Sequence, residues 1–160
     1  MSVTFSPAMD TTVPHVVTCI CGEWTTGVVY PSYDMARMML KDLKPSCSDL
    51  YCDYAYAVPE VSEPEVQMSN SNAFMLLSLL GLALSEDFSD YCSGSIPAED
   101  FLGRVLLAQG LNPADAGSDT IVVGNMVDCG RPEGYTDAKL DAMREVADWA
   151  IANKREIVWG

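Results

Sequence analysis

The chain has 160 residues, enough for one domain with its own apolar core and too few for two deeply buried ones. It is 49% hydrophobic and only 20% charged, which excludes a disordered acidic tail. Its 23 acids against 9 bases leave a formal charge of -14, which argues against binding to phosphate backbones or anionic lipid.

Met1–Ser6 has no basic residue leading into an apolar run, and Pro7–Pro14 is polar and broken. No secretory leader is expected there, and the cytoplasm is the expected compartment. His15–Cys21 and Thr25–Tyr30 are rich in valine and threonine around Gly22, and read as two short strands. After Ser32, the residues Met35, Met38, Met39 and Leu43 recur at helical spacing, with Lys41 and Lys44 near the end and Pro45 beyond. A short amphipathic helix is predicted there. Pro45 to Asn70 is loop-rich, with strands expected at Tyr51–Val58 and Glu65–Met68.

Ser69, Asn70, Ser71 and Asn72 offer several N-caps to an apolar helix that Gly81 stops after Leu80. The apolar window Ala73–Leu84 falls short of the roughly 20 residues a bilayer span needs, so it reads as a buried helix. Ser95 and Pro97 open another helix, with Glu99 and Asp100 in its first turn and Gly110 after its last. Its expected buried side is Phe101, Leu102, Val105, Leu106 and Ala108. Asn112–Gly117 reads as a loop and Ile121–Val127 as a β-branched strand. Thr136 is expected to cap the clearest helix, whose face is Leu140, Met143, Val146, Ala147, Ala150 and Ile151. Asn153 can end it, and Glu156–Trp159 reads as a closing strand.

Strands at both ends with helices between them predict an α+β fold. The expected form is a single domain, residues 1–160, with a small mixed β-sheet covered by about four helices. Its N-terminal cysteine-bearing, β-rich part runs over about 13–68, and its helical part over about 69–160. The sequence carries no internal repeat.

Six cysteines are present, and a core of this size needs no staples, so free thiols in a reducing compartment are expected. Four of them, Cys19, Cys21, Cys47 and Cys52, form a candidate zinc set, since four thiolates can hold the ion tetrahedrally. Alternation points Cys19 and Cys21 to one strand face, but neither pair has the two-residue gap usual in zinc ribbons. Ordinary buried cysteines and no cofactor are therefore the expectation, with zinc as the alternative; His15 is the only histidine that could replace a thiol.

Two further places could hold a ligand. Asn70, Ser71 and Asn72 cluster donors at a helix start, where capping alone already accounts for them. Asp128–Tyr135 is a glycine-rich connection holding Cys129 and the rare cation Arg131, which could hold a carboxylate or phosphate. A small-ligand or hydrolytic pocket uniting Asn70, Asn72, Cys129 and Arg131 is one alternative function.

From Pro45 to Gly103 there is no lysine or arginine, whereas Asp49, Asp53, Glu60, Glu63, Glu65, Glu86, Asp87, Asp90, Glu99 and Asp100 fall in that stretch. Glu99 and Asp100 are accounted for by the helix start they flank. No calcium-loop spacing occurs among the acids. The remainder suggests a negative face that docks on a basic protein surface, with Trp24, Tyr51, Tyr54 or Tyr56 as anchors. The stretches MSNSNAFMLLSLLGL, IPAEDFLGRVLLA, DCGRPEGY, LDAMREVADWA and VWG resemble short uncharacterised proteins of actinobacteria and their phages over about residues 66–160. The resemblance implies a bacterial or phage origin and brings no residue roles with it. The expected function is a non-enzymatic acidic interaction protein, such as a phage-type regulator or blocker of a host nucleic-acid-binding factor. Neither direct nucleic-acid binding nor a membrane partner is expected.

Overall fold

The computed structural model describes residues 2–48, 52, 54–83, 93–111, 115–124, 126–128 and 130–160. The fold is α+β, with four helices among the described residues. Two compact units can be distinguished where one domain was expected: Met1–Ala8 with Pro64–Gly160, and Met9–Glu63. They are called the body and the inserted unit below.

The body is built on a four-stranded antiparallel sheet of β1 (Ser2–Pro7), β4 (Val66–Ser69), β5 (Gly94–Ile96) and β8 (Ile157–Trp159), in the order β4-β1-β8-β5. Alternation along β1 buries Val3 and Phe5 and turns Ser2 outward. Phe5 stacks on Trp159 at 6.0 Å between ring centroids and meets Phe101 at 6.1 Å, joining sheet to helix. Gly94 lies opposite Trp159 in the β5–β8 ladder, where an added Cβ would collide with the indole. Neither β1 nor β5 was expected from the sequence.

Helices α2 (Asn70–Leu79), α3 (Ala98–Leu111) and α4 (Tyr135–Ala152) complete this core with Ala73, Leu76 and Leu77, then Phe101, Val105 and Ala108, then Leu140, Met143, Val146, Ala147 and Ala150. The expected faces of α3 and α4 are the buried ones, except that Leu106 is exposed and α3 runs through Gly110. The end of α2 is as expected: Gly81 adopts φ 66°, and the Leu82 N–H bonds back to the Leu77 carbonyl at 2.7 Å. The predicted strand over 121–127 is a hairpin instead, β6 (Ile121–Val123) and β7 (Met126–Asp128), because Gly124 at φ 62° turns the chain.

In the inserted unit, β2 (His15–Cys19) pairs antiparallel with β3 (Ala55–Pro59), from His15 opposite Pro59 to Cys19 opposite Ala55. The predicted strand at Thr25–Tyr30 reduces to single bridges from Thr25 and Tyr30 to β2. Helix α1 (Tyr33–Met39) begins at Ser32, whose Oγ accepts the Met35 N–H. Its methionine face points outward, not inward as the spacing suggested: Met35, Met38 and Met39 are exposed and Ala36 is buried. Among the described residues, its connected buried cluster is Val17, Tyr30 and Ala36, with Trp24, Leu40, Leu43, Ala55 and Ala57 packed around it.

Connectivity makes the inserted unit an enlarged hairpin loop. It leaves the body after β1 and returns into β4, and these strands pair with Phe5 opposite Val66. The two points of insertion are therefore held together by the body's own ladder. A chain in which residues 9–63 are replaced by a short Gly/Ser turn should fold, with the far-ultraviolet circular dichroism of the α2–α4 helices retained. Loss of cooperative unfolding in that chain would show that the body needs the insertion.

Candidate metal centre

The antiparallel register places the end of β2 beside the start of β3. Cys19 is the last residue of β2, and the Ile20 N–H donates to the Tyr54 carbonyl at 3.1 Å. Beyond Cys19 the chain reverses at Gly22, which adopts φ 76° and donates its N–H to the Cys19 carbonyl at 2.9 Å. This turn brings Cys21 back so that the two sulfurs lie 3.0 Å apart. Cys47 and Cys52 arrive at the same end on the segment entering β3. A hydrogen bond from the Ser48 hydroxyl to the Glu23 carboxylate ties the two ligand-bearing segments together.

The Sγ atoms of Cys19, Cys21, Cys47 and Cys52 all lie within 4.8 Å of one another. A zinc ion at about 2.3 Å from each of four thiolates sets them about 3.8 Å apart, so small side-chain movements would complete a tetrahedron. Cys19 and Cys52 are buried, Cys47 is partly buried and Cys21 is exposed. The Trp24 N–H donates to the Cys19 sulfur at 3.3 Å, the kind of support that orients a thiolate ligand.

Burial works to raise the Cys19 thiol, but hydrogen bonds from Cys21, the Trp24 amide, Cys52 and Cys47 outweigh it and bring it down to about 6. Cys21 is pushed up to about 12, chiefly because it keeps its proton to donate to Cys19. Burial and the neighbouring Cys52 raise Cys47. The Cys19 sulfur is thus surrounded by hydrogen-bond donors, while the Cys21 and Cys47 thiols hold their protons more tightly than usual. A dication would take the place of those protons and expel them. His15 is no part of the set: it is fully buried, and its Nδ1 donates to the Val13 carbonyl at 2.7 Å.

The other predicted site residues are brought together in part. Asn72 and Arg131 meet, with the guanidinium donating to the Asn72 Oδ1 at 3.4 Å. Tyr135, at the end of the same glycine-rich connection but outside the expected pocket set, accepts from the Asn72 amide at 3.1 Å. These side chains bond to one another instead of standing apart around a cavity. Asn70 is half-buried and Ser71 is exposed, its hydroxyl sharing a hydrogen with Ser69; Cys129 lies outside the described residues. Ser69 holds the N-cap position of α2 without a side-chain capping bond.

Thr136 does not cap α4 as expected. It is buried inside the first turn, and Asp115 performs the capping by accepting the Thr136 N–H at 2.6 Å and the Gly117 N–H at 3.1 Å.

Of the acids in the cation-free stretch, Glu60 and Glu65 are exposed and Glu63 is half-buried. Asp49, Asp53, Glu86, Asp87 and Asp90 lie outside the described residues. Cations reach the stretch from elsewhere in the body: Arg104 donates to the Leu80 and Gly81 carbonyls, Lys139 to the Gln67 carbonyl, and Arg131 to Asn72. Arg104 there sits at the negative end of α2. No protein-family profile matches the chain, and no curated protein or solved structure does either. No helix among the described residues is long and apolar enough to cross a membrane.

The Thr136 and Gly117 amides hold the Asp115 carboxyl below the usual carboxylate range. Its contribution to stability is complete above the ordinary aspartate value of about 3.9 and disappears as pH falls through the lowered value. Asp115→Asn should cost about 1 kcal/mol at neutral pH, and the difference from the parent chain should vanish in acid. Urea unfolding of both chains across that pH range measures it.

Proposed function

We propose that this protein is a non-enzymatic interaction protein whose inserted unit is a zinc-stabilised recognition module. The observation that carries this reading is the four-sulfur cluster, with every sulfur within 4.8 Å of the others, in a unit whose connected core is Val17, Tyr30 and Ala36. A core that small calls for a cross-link, and a metal ion supplies one where thiols stay reduced. Four sulfur donors suit zinc, and they leave it no open position for water or substrate. The metal's role in this reading is structural, which favours binding over catalysis.

The surface of the same unit supports a recognition role. Ile20, Met38 and Tyr54 are 67%, 72% and 65% exposed, and Met35 and Tyr56 are exposed as well. Asp10, Glu23, Asp34, Asp42, Glu60 and Glu63 outnumber Arg37, Lys41 and Lys44 in the segment, and four thiolates around a dication add further negative charge. A basic protein surface is the partner class this charge favours, a host nucleic-acid-binding factor being one example. The anchors would be exposed tyrosine and methionine side chains.

Metal analysis of the full chain purified without chelator should find about one zinc per molecule. Stripping the metal should abolish hydrogen-exchange protection within residues 9–63 while leaving β1, β4, β8 and α4 protected. Absence of stoichiometric metal would overturn the reading, and a coloured iron-loaded protein would replace zinc with iron.

Docking through charge makes a separate prediction. Capture of a basic partner by the zinc-loaded chain should fall steeply as salt rises from about 0.05 to 0.5 M. Retention indifferent to salt would leave the apolar side chains as the whole basis of recognition.

A further inference from the structure

The four cysteines differ in their access to solvent, and the difference falls inside one site. Cys19 is fully buried and Cys52 is 6% exposed, whereas Cys21 stands on the turn beyond β2 and is exposed. Structural zinc sites are inert because their sulfurs are shielded; here one of the four faces solvent with a second sulfur 3.0 Å behind it. An accessible sulfur backed by a resolving thiol is the arrangement of redox-sensing cysteines. The unit it holds together has little else, since its connected core is three residues.

We infer that the cysteine centre is a redox switch, in which a peroxide oxidises Cys21, the metal is released, and the inserted unit loses its fold. This rests on the zinc reading above and specifies its regulation. The Cys21 sulfur attacks one peroxide oxygen, the O–O bond breaks, and hydroxide leaves to become water on taking a proton. The resulting sulfenic acid is attacked by the Cys19 sulfur, a sulfur–sulfur bond forms, and the second oxygen leaves as hydroxide. The two sulfurs together give up two electrons and the peroxide takes both. Zinc, left with two thiolates, departs as the dication, and Cys47 and Cys52 take up protons. A thiol reductant with zinc reverses the change, because the disulfide is the only bond made in the protein.

The test uses the full zinc-loaded chain treated with hydrogen peroxide, with released metal read by a chromogenic chelator. Alkylation and mass spectrometry then locate the oxidised residues. The expected result is loss of the bound metal with Cys21 in the first disulfide formed, loss of exchange protection confined to residues 9–63, and recovery on adding dithiothreitol and zinc. Zinc retained while the exposed Met35 and Met38 become sulfoxides overturns the switch, as does zinc lost while Cys21 remains alkylatable. Either result leaves the zinc reading standing, whereas a chain that carries no zinc before oxidation removes that reading itself. Cys21→Ser serves as a second arm if it still loads metal. Its zinc should then be released at least tenfold more slowly than the parent's, and equal rates overturn the assignment of Cys21.

Discussion

Closure of the chain where Cys19, Cys21, Cys47 and Cys52 meet is the constraint on which the proposed reading of the inserted unit depends. Fixing a backbone residue costs on the order of 1–2 kcal/mol, and among the described residues the buried apolar cluster of this unit is Val17, Tyr30 and Ala36, with Trp24, Leu40, Leu43, Ala55 and Ala57 partly buried around it. The body's core is larger: it joins Val3 and Phe5 on one face of β1, the indole of Trp159 and the inner stripes of three helices. In the proposed reading the two parts of one chain are stabilised by different physics: burial in the body and a four-sulfur cross-link through zinc in the insertion.

The same contrast explains what could be read from the sequence. The helices of the body were legible because their burial is periodic. Leu140, Met143, Val146, Ala147 and Ala150 announce a face without reference to any other element. Strands β1 and β5 were not, although Val3 and Phe5 alternate with polar residues, because a strand this short gains its meaning from partners far along the chain. Here those partners are Val66 and Met68 on one side and Ile157 and Trp159 on the other. The cap of α4 was misassigned for a related reason: Asp115 is 21 residues from the amide it binds. In α1 the methionine spacing correctly marked a helix, but this seven-residue helix meets the small sheet through Ala36 and through Tyr33, whose ring packs edge-on against His15, and the methionines turn outward.

The four cysteines stood out in the sequence as a set, with a spacing that weighed against zinc. The expectation of a two-residue gap presumes one kind of turn. Gly22 at φ 76° makes a tighter reversal, so an i, i+2 pair converges. The second pair is delivered by strand register, with Cys19 opposite Ala55, which no local pattern encodes. Charge shows a second effect of distance along the chain. A stretch free of lysine and arginine in sequence is not free of them in space, because Arg104 and Lys139 reach residues 67–81 from helices that follow.

Topology then gives the metal a local reach. The insertion departs from β1 and re-enters at β4, whose pairing is fixed by Phe5 against Val66 and Val3 against Met68, all four side chains within the body's core. Melting the inserted unit lengthens the loop between two strands that are already paired. Loop closure entropy grows only with the logarithm of length, so the body's stability changes little when that loop becomes disordered. In the proposed reading, a cross-link confined to the insertion would therefore switch the recognition surface on or off while the scaffold that carries it stays folded. That separation would not be possible had the cysteines been drawn from both parts of the chain.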